Sequence, residues 1–162
     1  MKIRAAVADD AAQISAFLQE LTALGKRTRP SDEAFVRAEY IGNPNGVSCT
    51  VAEDADGTLL GIQILSVAQH ANPYGVAPGW GIIGTHGRPS AARRGVGRAL
   101  FPASRAAAEA AGLASLDAAI GETNAEGLAY YEAMGFRTYR TYDGRICKRY
   151  DISGKNGSGD AR

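Results

Sequence analysis

An α+β domain around one mixed sheet, in the element order βααβββαβαββ, is the fold class that this sequence predicts. Three observations lead there. Apolar runs of strand length alternate with stretches whose apolar residues recur every three to four positions. Two Asp-Gly pairs, Asp56-Gly57 and Asp143-Gly144, each stand between strand-like runs as a hairpin turn requires. No internal repeat or linker divides the 162 residues, a length that suits one domain with a substantial core.

The elements follow in order. "KIRAAV" reads as a short first strand. Asp9 or Asp10 caps a helix whose Ile14, Phe17, Leu18, Leu21 and Leu24 keep a 3.6-residue period until Gly25 stops it. A second helix starts after "RPSD", with Ser31 as its cap and Phe35, Val36 and Tyr40 as its buried stripe, and "NPNG" ends it. "SCTVAE" and "LLGIQILSVA" are strands on either side of the first hairpin turn. A Pro- and Gly-rich loop, "QHANPYGVAPG", leads into the strand "WGIIGTH". From Arg94 to Ala111 the chain reads helical, with Val96, Leu100, Ala103, Ala107 and Ala110 on one face and an awkward interior Pro102. "ASLDAAI" is a strand, "NAEGLAYYEAM" a helix ended by Gly135, and "FRTYRTY" and "RICKRYDI" form the closing pair. The domain is expected to span 1–152, and the polar "SGKNGSGDAR" of 153–162 to be a flexible tail.

Composition narrows the classes. Eighteen Lys plus Arg against seventeen Asp plus Glu leave a net charge of +1, so no global field draws the chain to nucleic acid or an anionic membrane. No apolar run has signal-peptide character or membrane-spanning length, and a cytoplasmic location is expected. Cys49 and Cys147 stand far apart without metal-ligand spacing, which reads as two reduced thiols and no metal.

"RPSAARRGVGRAL", Arg88 to Leu100, carries the chemistry. Two glycines among arginines at a helix start suit an anion. A phosphate-binding G-x-x-x-x-G-K-[ST] loop is excluded, because Gly97 is followed by Arg98 and Ala99. A dinucleotide fingerprint is only partly matched: Gly95, Gly97 and Asp117 fit, but the third glycine is Leu100 and a polar segment intervenes after the strand. The remaining reading is a pyrophosphate cradle, with backbone N–H groups of Arg93, Arg94, Gly95, Val96, Gly97 and Arg98 aimed at the diphosphate and the helix dipole behind them. The bland alternative is a solvated basic helix start.

Downstream, "NAEGLAYYEAMGFRTY" resembles the second signature of the GNAT N-acyltransferase superfamily, through Asn124, Tyr131, Gly135 and Phe136. The Arg88–Leu100 segment resembles that superfamily's acetyl-CoA motif, with Pro89 six residues before Gly95. The resemblance covers roughly residues 2 to 150, and it implies a mostly antiparallel GNAT-like sheet flanked by helices. It further implies an acetyl-CoA-dependent N-acyltransferase with acetyl-CoA as cosubstrate, a small-molecule primary amine as acceptor, and a homodimer paired through the C-terminal strands. Coenzyme contacts are expected at Thr85, His86, Gly87, Arg93 to Arg98, Asn124 and Tyr131. Tyr131 is the expected general acid, since a phenol can protonate the departing thiolate without being ionised at pH 7. Two positions depart from the family's pattern: Ala92 replaces a Gln or Arg, and Gly81 replaces a Glu that often serves as base. His86 is then the candidate base, with Asp117, Glu122 or an ordered water as alternatives. His70, at a loop entrance, ranks below them. A non-catalytic acyl-CoA-binding module, or an enzyme acting on a protein N-terminus or lysine, remain the competing functions. A nucleotide-binding regulatory domain would instead be stabilised by ATP or NAD.

Overall fold

Seven strands, β1 (Lys2–Ala5), β2 (Gly46–Glu53), β3 (Leu59–Val67), β4 (Gly81–Gly87), β5 (Ser115–Gly121), β6 (Arg137–Tyr142) and β7 (Arg145–Asp151), hydrogen-bond into one sheet in the order β1-β2-β3-β4-β5-β7-β6. The computed structural model describes residues 1–152, and the expected tail lies outside the described residues. Every neighbouring pair is antiparallel except β4 with β5. That parallel pair registers at only two positions, Gly81 with Leu116 and Ile82 with Asp117. Beyond Ile82, β4 stays paired with β3 as far as Gly87 and has no strand partner on its other side among the described residues. The sheet is forked.

The helices are α1 (Ala11–Ala23), α2 (Glu33–Phe35, continued by a π-helical turn over Val36–Ile41), α3 (Val96–Ala110) and α4 (Ala125–Met134). The order of strands and helices is the predicted βααβββαβαββ. One face of the sheet is covered by α1 and α2, where Ile14, Phe17, Leu18, Val36 and Tyr40 bury against Val51, Leu59, Ile62 and Ile64. The other face carries α3 and α4, with Phe101, Ala108, Tyr131 and Phe136 packed on Leu65, Ile83, Leu116, Ala118 and Ile120. Full burial of a Leu or Phe contributes roughly 1.5–3 kcal/mol, so these two layers hold the sheet between them.

Four local expectations change. Leu24 is 58% exposed, because the helix has already ended at Ala23 and Gly25, at φ +74°, turns the chain away. Asp32, not Ser31, caps α2: its carboxylate accepts from Phe35 N at 3.2 Å, while the Ser31 hydroxyl accepts from Arg27 Nε at 3.0 Å. In α3 the buried stripe is Val96, Leu100, Phe101, Ser104 and Ala108, and Ala110 is exposed. The stripe is shifted because Phe101 and Ser104 both face the sheet. Pro102 lies on the exposed side of the helix, as does Arg98, whose carbonyl it cannot pair. No helix among the described residues is long and apolar enough to cross a membrane.

Candidate active site

The fork is where the sequence's candidate residues meet. Along β4, Arg88 N donates to Leu60 O and Ala68 N to Trp80 O, and these two bonds bracket the strand's register against β3. Antiparallel alternation then assigns the backbone groups of Ile82, Gly84 and His86 to β3 and turns those of Ile83, Thr85 and Gly87 toward the open side. Thr85 and Gly87 therefore present unpaired N–H and C=O groups along the fork. The backbone of His86 is committed to β3.

At the mouth of the fork, the loop before α3 folds into a left-handed turn. Arg93 has φ +67° and Gly95 has φ +78°. Alternation of right- and left-handed residues turns successive N–H groups to one side, the concavity that binds anions. The first-turn N–H groups of α3 have no intrahelical acceptors and add to it. A Cβ at Gly95 would meet nothing within 4 Å, so this glycine answers the backbone conformation. Gly97 answers a different demand. A Cβ there would sit 2.6 Å from Tyr130 Cε1, so the ring of Tyr130 occupies the space left free. Arg93, Arg94 and Arg98 are exposed around the turn, and Arg94 also reaches Asp54 at 3.3 Å.

Tyr131 projects from α4 to the same place, buried against Phe136 with ring centroids 5.0 Å apart. Its hydroxyl lies 2.7 Å from Thr85 Oγ1. Burial pushes its pKa well above the usual phenol value, against an opposing hydrogen bond from Thr85. The phenol stays protonated. Asn124 caps α4, its side chain accepting from Gly127 N at 3.0 Å.

The opposite face of the sheet holds the other candidates. His86 stacks on Tyr40 at 5.8 Å, with the Tyr40 hydroxyl 3.4 Å from its Nε2. Burial first, then the charges of Arg27 and Arg29, push its pKa down to about 3. The imidazole is neutral and weakly basic. Asp117 lies on this face at the apex of the fork, 1% exposed. Its Oδ2 accepts from the Tyr139 hydroxyl and from Arg140 at 3.3 Å, and its Oδ1 has no hydrogen-bond partner among the described residues. Trp80, Tyr139 and Arg149 pack beside it, with the Arg149 guanidinium 4.6 Å from the Trp80 ring. Glu122 is exposed beyond the end of β5 and touches neither group.

Gly81, where the family often has a Glu, points away from that face. A Cβ there would lie 2.6 Å from Leu116 Cδ2, 2.8 Å from Leu65 Cδ1 and 3.0 Å from Leu113 Cδ1. The core fills the position, and a carboxylate does not fit. Three residues at the site escape the sequence reading: Gln63, Ser104 and Tyr130. The signal for Gln63 was available, since it is a lone amide in the apolar run "LLGIQIL". No group of three or more His, Cys, Asp or Glu side chains among the described residues is placed to hold a metal.

A forked sheet with an anion-binding helix start at its mouth defines a domain for an elongated, phosphate-bearing ligand. The chain belongs to the acetyltransferase (GNAT) family, whose model matches residues 14–136; the acetyl donor in this family is acetyl-CoA. Among solved structures, a GCN5-related N-acetyltransferase from Kribbella flavida is 24% identical, with 93% of this chain and 97% of that chain covered and a TM-score of 0.78. The phosphinothricin acetyltransferase of Sinorhizobium meliloti, solved in complex with acetyl-CoA, is 21% identical over 93% of this chain and 88% of that one, at a TM-score of 0.77. A ribosomal-protein-alanine N-acetyltransferase from Brucella melitensis is 18% identical over 94% and 100%, at 0.75. These likenesses concern the fold. No curated protein matches the chain.

Proposed function

We propose that this chain moves the acetyl group of acetyl-CoA to the primary amine of a small, amino-acid-like molecule by direct attack, with Tyr131 as general acid. The observation that carries the reading is the Tyr131 hydroxyl, held 2.7 Å from Thr85 Oγ1 beside the fork. Acetyl-CoA supplies an activated thioester. The turn at Arg93–Arg98 receives its diphosphate, and the free backbone edge of Thr85 and Gly87 hydrogen-bonds its amide-bearing arm. A backbone N–H near Gly87 polarises the acetyl carbonyl as charge develops on its oxygen. The amine nitrogen forms the new C–N bond as the C–S bond breaks, and Tyr131 gives its proton to the leaving sulfur.

The amine's own proton leaves on the other face. Asp117 Oδ1, buried and unpaired at the apex of the fork, supports a role as the group that holds the ammonium and takes up the proton it loses. His86 is less suited, because a pKa near 3 leaves it little affinity for a proton. Trp80, Tyr139, Tyr40 and Arg149 line the acceptor side and suit a compact substrate with an apolar body. Phosphinothricin, the acceptor named for two of the similar structures, is a compact amino acid. The test is thiol release from acetyl-CoA with a panel of amino acids, phosphinothricin, alkylamines and short peptides. Preference for a peptide N-terminus over every small amine overturns the substrate class.

The assembly proposed is a homodimer. The edge strand β6 leaves one side of the sheet unpaired, and such an edge recruits a second strand unless charge prevents it. Light scattering at micromolar concentration is expected to give twice the chain mass, and a monomer mass ends the proposal.

A further inference from the structure

Beneath the fork, on the face carrying α3 and α4, lies a chain of side-chain hydrogen bonds that the proposed reaction does not yet use. Gln63 is fully buried in β3, directly across from Thr85 in β4. Its Nε2 donates to Thr85 Oγ1 at 2.9 Å and to the Tyr130 hydroxyl at 2.9 Å. Its Oε1 accepts from Ser104 Oγ at 2.6 Å. Tyr130 in turn donates to Gly97 O at 2.8 Å.

The direction of every bond up to Thr85 follows from one fixed point. The Gly97 carbonyl only accepts, so the single proton of Tyr130 goes there. The Tyr130 oxygen must then accept from Gln63, which turns the NH2 end of the amide toward Tyr130 and Thr85 and the carbonyl end toward Ser104. Thr85 Oγ1 accepts from that NH2. Its remaining side-chain bond is to Tyr131, and with the amide proton already accepted Thr85 has its own proton free to donate there. The Tyr131 oxygen is thereby an acceptor toward Thr85, and its own proton is free to point into the fork. With the amide absent or reversed, Thr85 is free to accept from Tyr131, and the phenol's proton turns inward.

We infer that Gln63 is a positioning residue: anchored by Ser104 and by Tyr130 on Gly97, it orients the Thr85 hydroxyl so that the Tyr131 proton faces the leaving sulfur. The inference rests on the reading of Tyr131 as general acid. It also joins the two ends of the coenzyme site, because the carbonyl that sets the polarity belongs to the first turn of α3.

Single-turnover thiol release from acetyl-CoA, measured with the acceptor panel and with water alone, tests it in four variants. Gln63→Met keeps the length and removes both donors; Thr85→Val removes the relay, and Thr85→Ser restores it. Losing a directed hydrogen bond in the transition state is expected to slow Gln63→Met and Thr85→Val about tenfold, with Thr85→Ser near the wild type. The KM for acetyl-CoA is expected to stay within about twofold, since these bonds act on proton delivery more than on binding. Gln63→Glu adds a pH signature. As a neutral acid it keeps one donor; once ionised it only accepts, so Thr85 turns toward it and the rate falls as pH rises. The titratable groups facing it are the phenols of Tyr130 and Tyr131, both pushed up by burial, with Arg98 acting on Tyr130 from α3. A loss that is the same at every pH marks a packing role and overturns the inference. Tyr131→Phe separates the failures. If it is slow while folded Gln63→Met and Thr85→Val turn over at the wild-type rate, the positioning role is wrong and Tyr131 stands. If Tyr131→Phe is unimpaired, or the wild type releases no thiol in any mixture, both readings fall. Should Gln63→Met not fold, the Thr85→Val and Thr85→Ser pair decides.

Discussion

The two faces of the fork are finished to different degrees. On the α3/α4 face, the side-chain polar groups from Ser104 through Gln63, Thr85 and Tyr130 to Tyr131 are mutually bonded, and the glycine at 97 is shaped to the ring of Tyr130. On the α1/α2 face, Asp117 keeps an unpaired buried oxygen. Arg27, only 7% exposed, is held by Ser31, Pro30 O and Tyr40 without a carboxylate partner among the described residues. A buried acceptor left unpaired costs roughly 1–3 kcal/mol, which a bound donor offsets. In the proposed function, the face that handles the common donor is the one already bonded in the free protein, and the face that meets the acceptor is the one left for its substrate to complete.

The largest effect expected to break this contrast is on the finished face. Tyr131→Phe keeps the ring against Phe136, so stability should barely move, while kcat falls by at least about tenfold and up to about 10,000-fold. The KM for acetyl-CoA should change far less. A wild-type kcat with chemistry shown to be rate-limiting would reassign Tyr131 as a packing residue.

On the unfinished face, Asp117→Asn keeps an oxygen for Tyr139 but removes the charge. The kcat/KM for the acceptor is expected to fall about ten- to a hundredfold, the value of a hydrogen bond to a charged group. Acetyl-CoA affinity by calorimetry should be unchanged. Equal losses for acceptor and coenzyme would show that the two faces are not separable.

Smaller differences distinguish the two glycines of the cradle. Gly97→Val forces the Tyr130 ring aside and should cost about 1–3 kcal/mol in urea unfolding, as overpacking does. Acetyl-CoA affinity should fall with it. Gly95→Ala faces open space but keeps a left-handed backbone, a penalty of about 1–2 kcal/mol. If Gly97→Val is as stable as the wild type, the ring contact does not hold the first turn of α3.

A further difference is a pH dependence. The folded chain holds His86 at a pKa near 3, below its ordinary 6.5. The unfolded chain therefore takes up the proton first as pH falls, and stability is lost from about pH 6.5 downward. His86→Gln removes this part, so its melting temperature should drop less than the wild type's between pH 7 and pH 4. Parallel curves would mean that His86 titrates alike in both states.

By itself the sequence determined the order of elements, the hairpin turns at Asp56-Gly57 and Asp143-Gly144, and the two motifs that carry the family resemblance, because these depend on local patterns. Period, turn chemistry, the Gly95–Gly97 motif and the Asn124–Tyr131 motif are each readable within a dozen or so residues. Helix ends slipped at Leu24 and Ser31 for the same reason: several adjacent residues offer a cap, and tertiary packing chooses one. What only the tertiary structure decided are relations across the sheet. The fork after Ile82 depends on where two strands 34 residues apart in sequence stop pairing, Gly81 at one and Ser115 at the other marking their starts. Strand alternation then sends Thr85 toward Tyr131 and His86 toward Tyr40, a division that no linear pattern ranks. The Tyr130 ring that fills the space beside Gly97 comes from another helix, and no pattern around the glycine announces it. Gln63 and Asp117 acquire roles only through partners brought together by folding, since what a buried polar group does depends on the donors and acceptors that surround it.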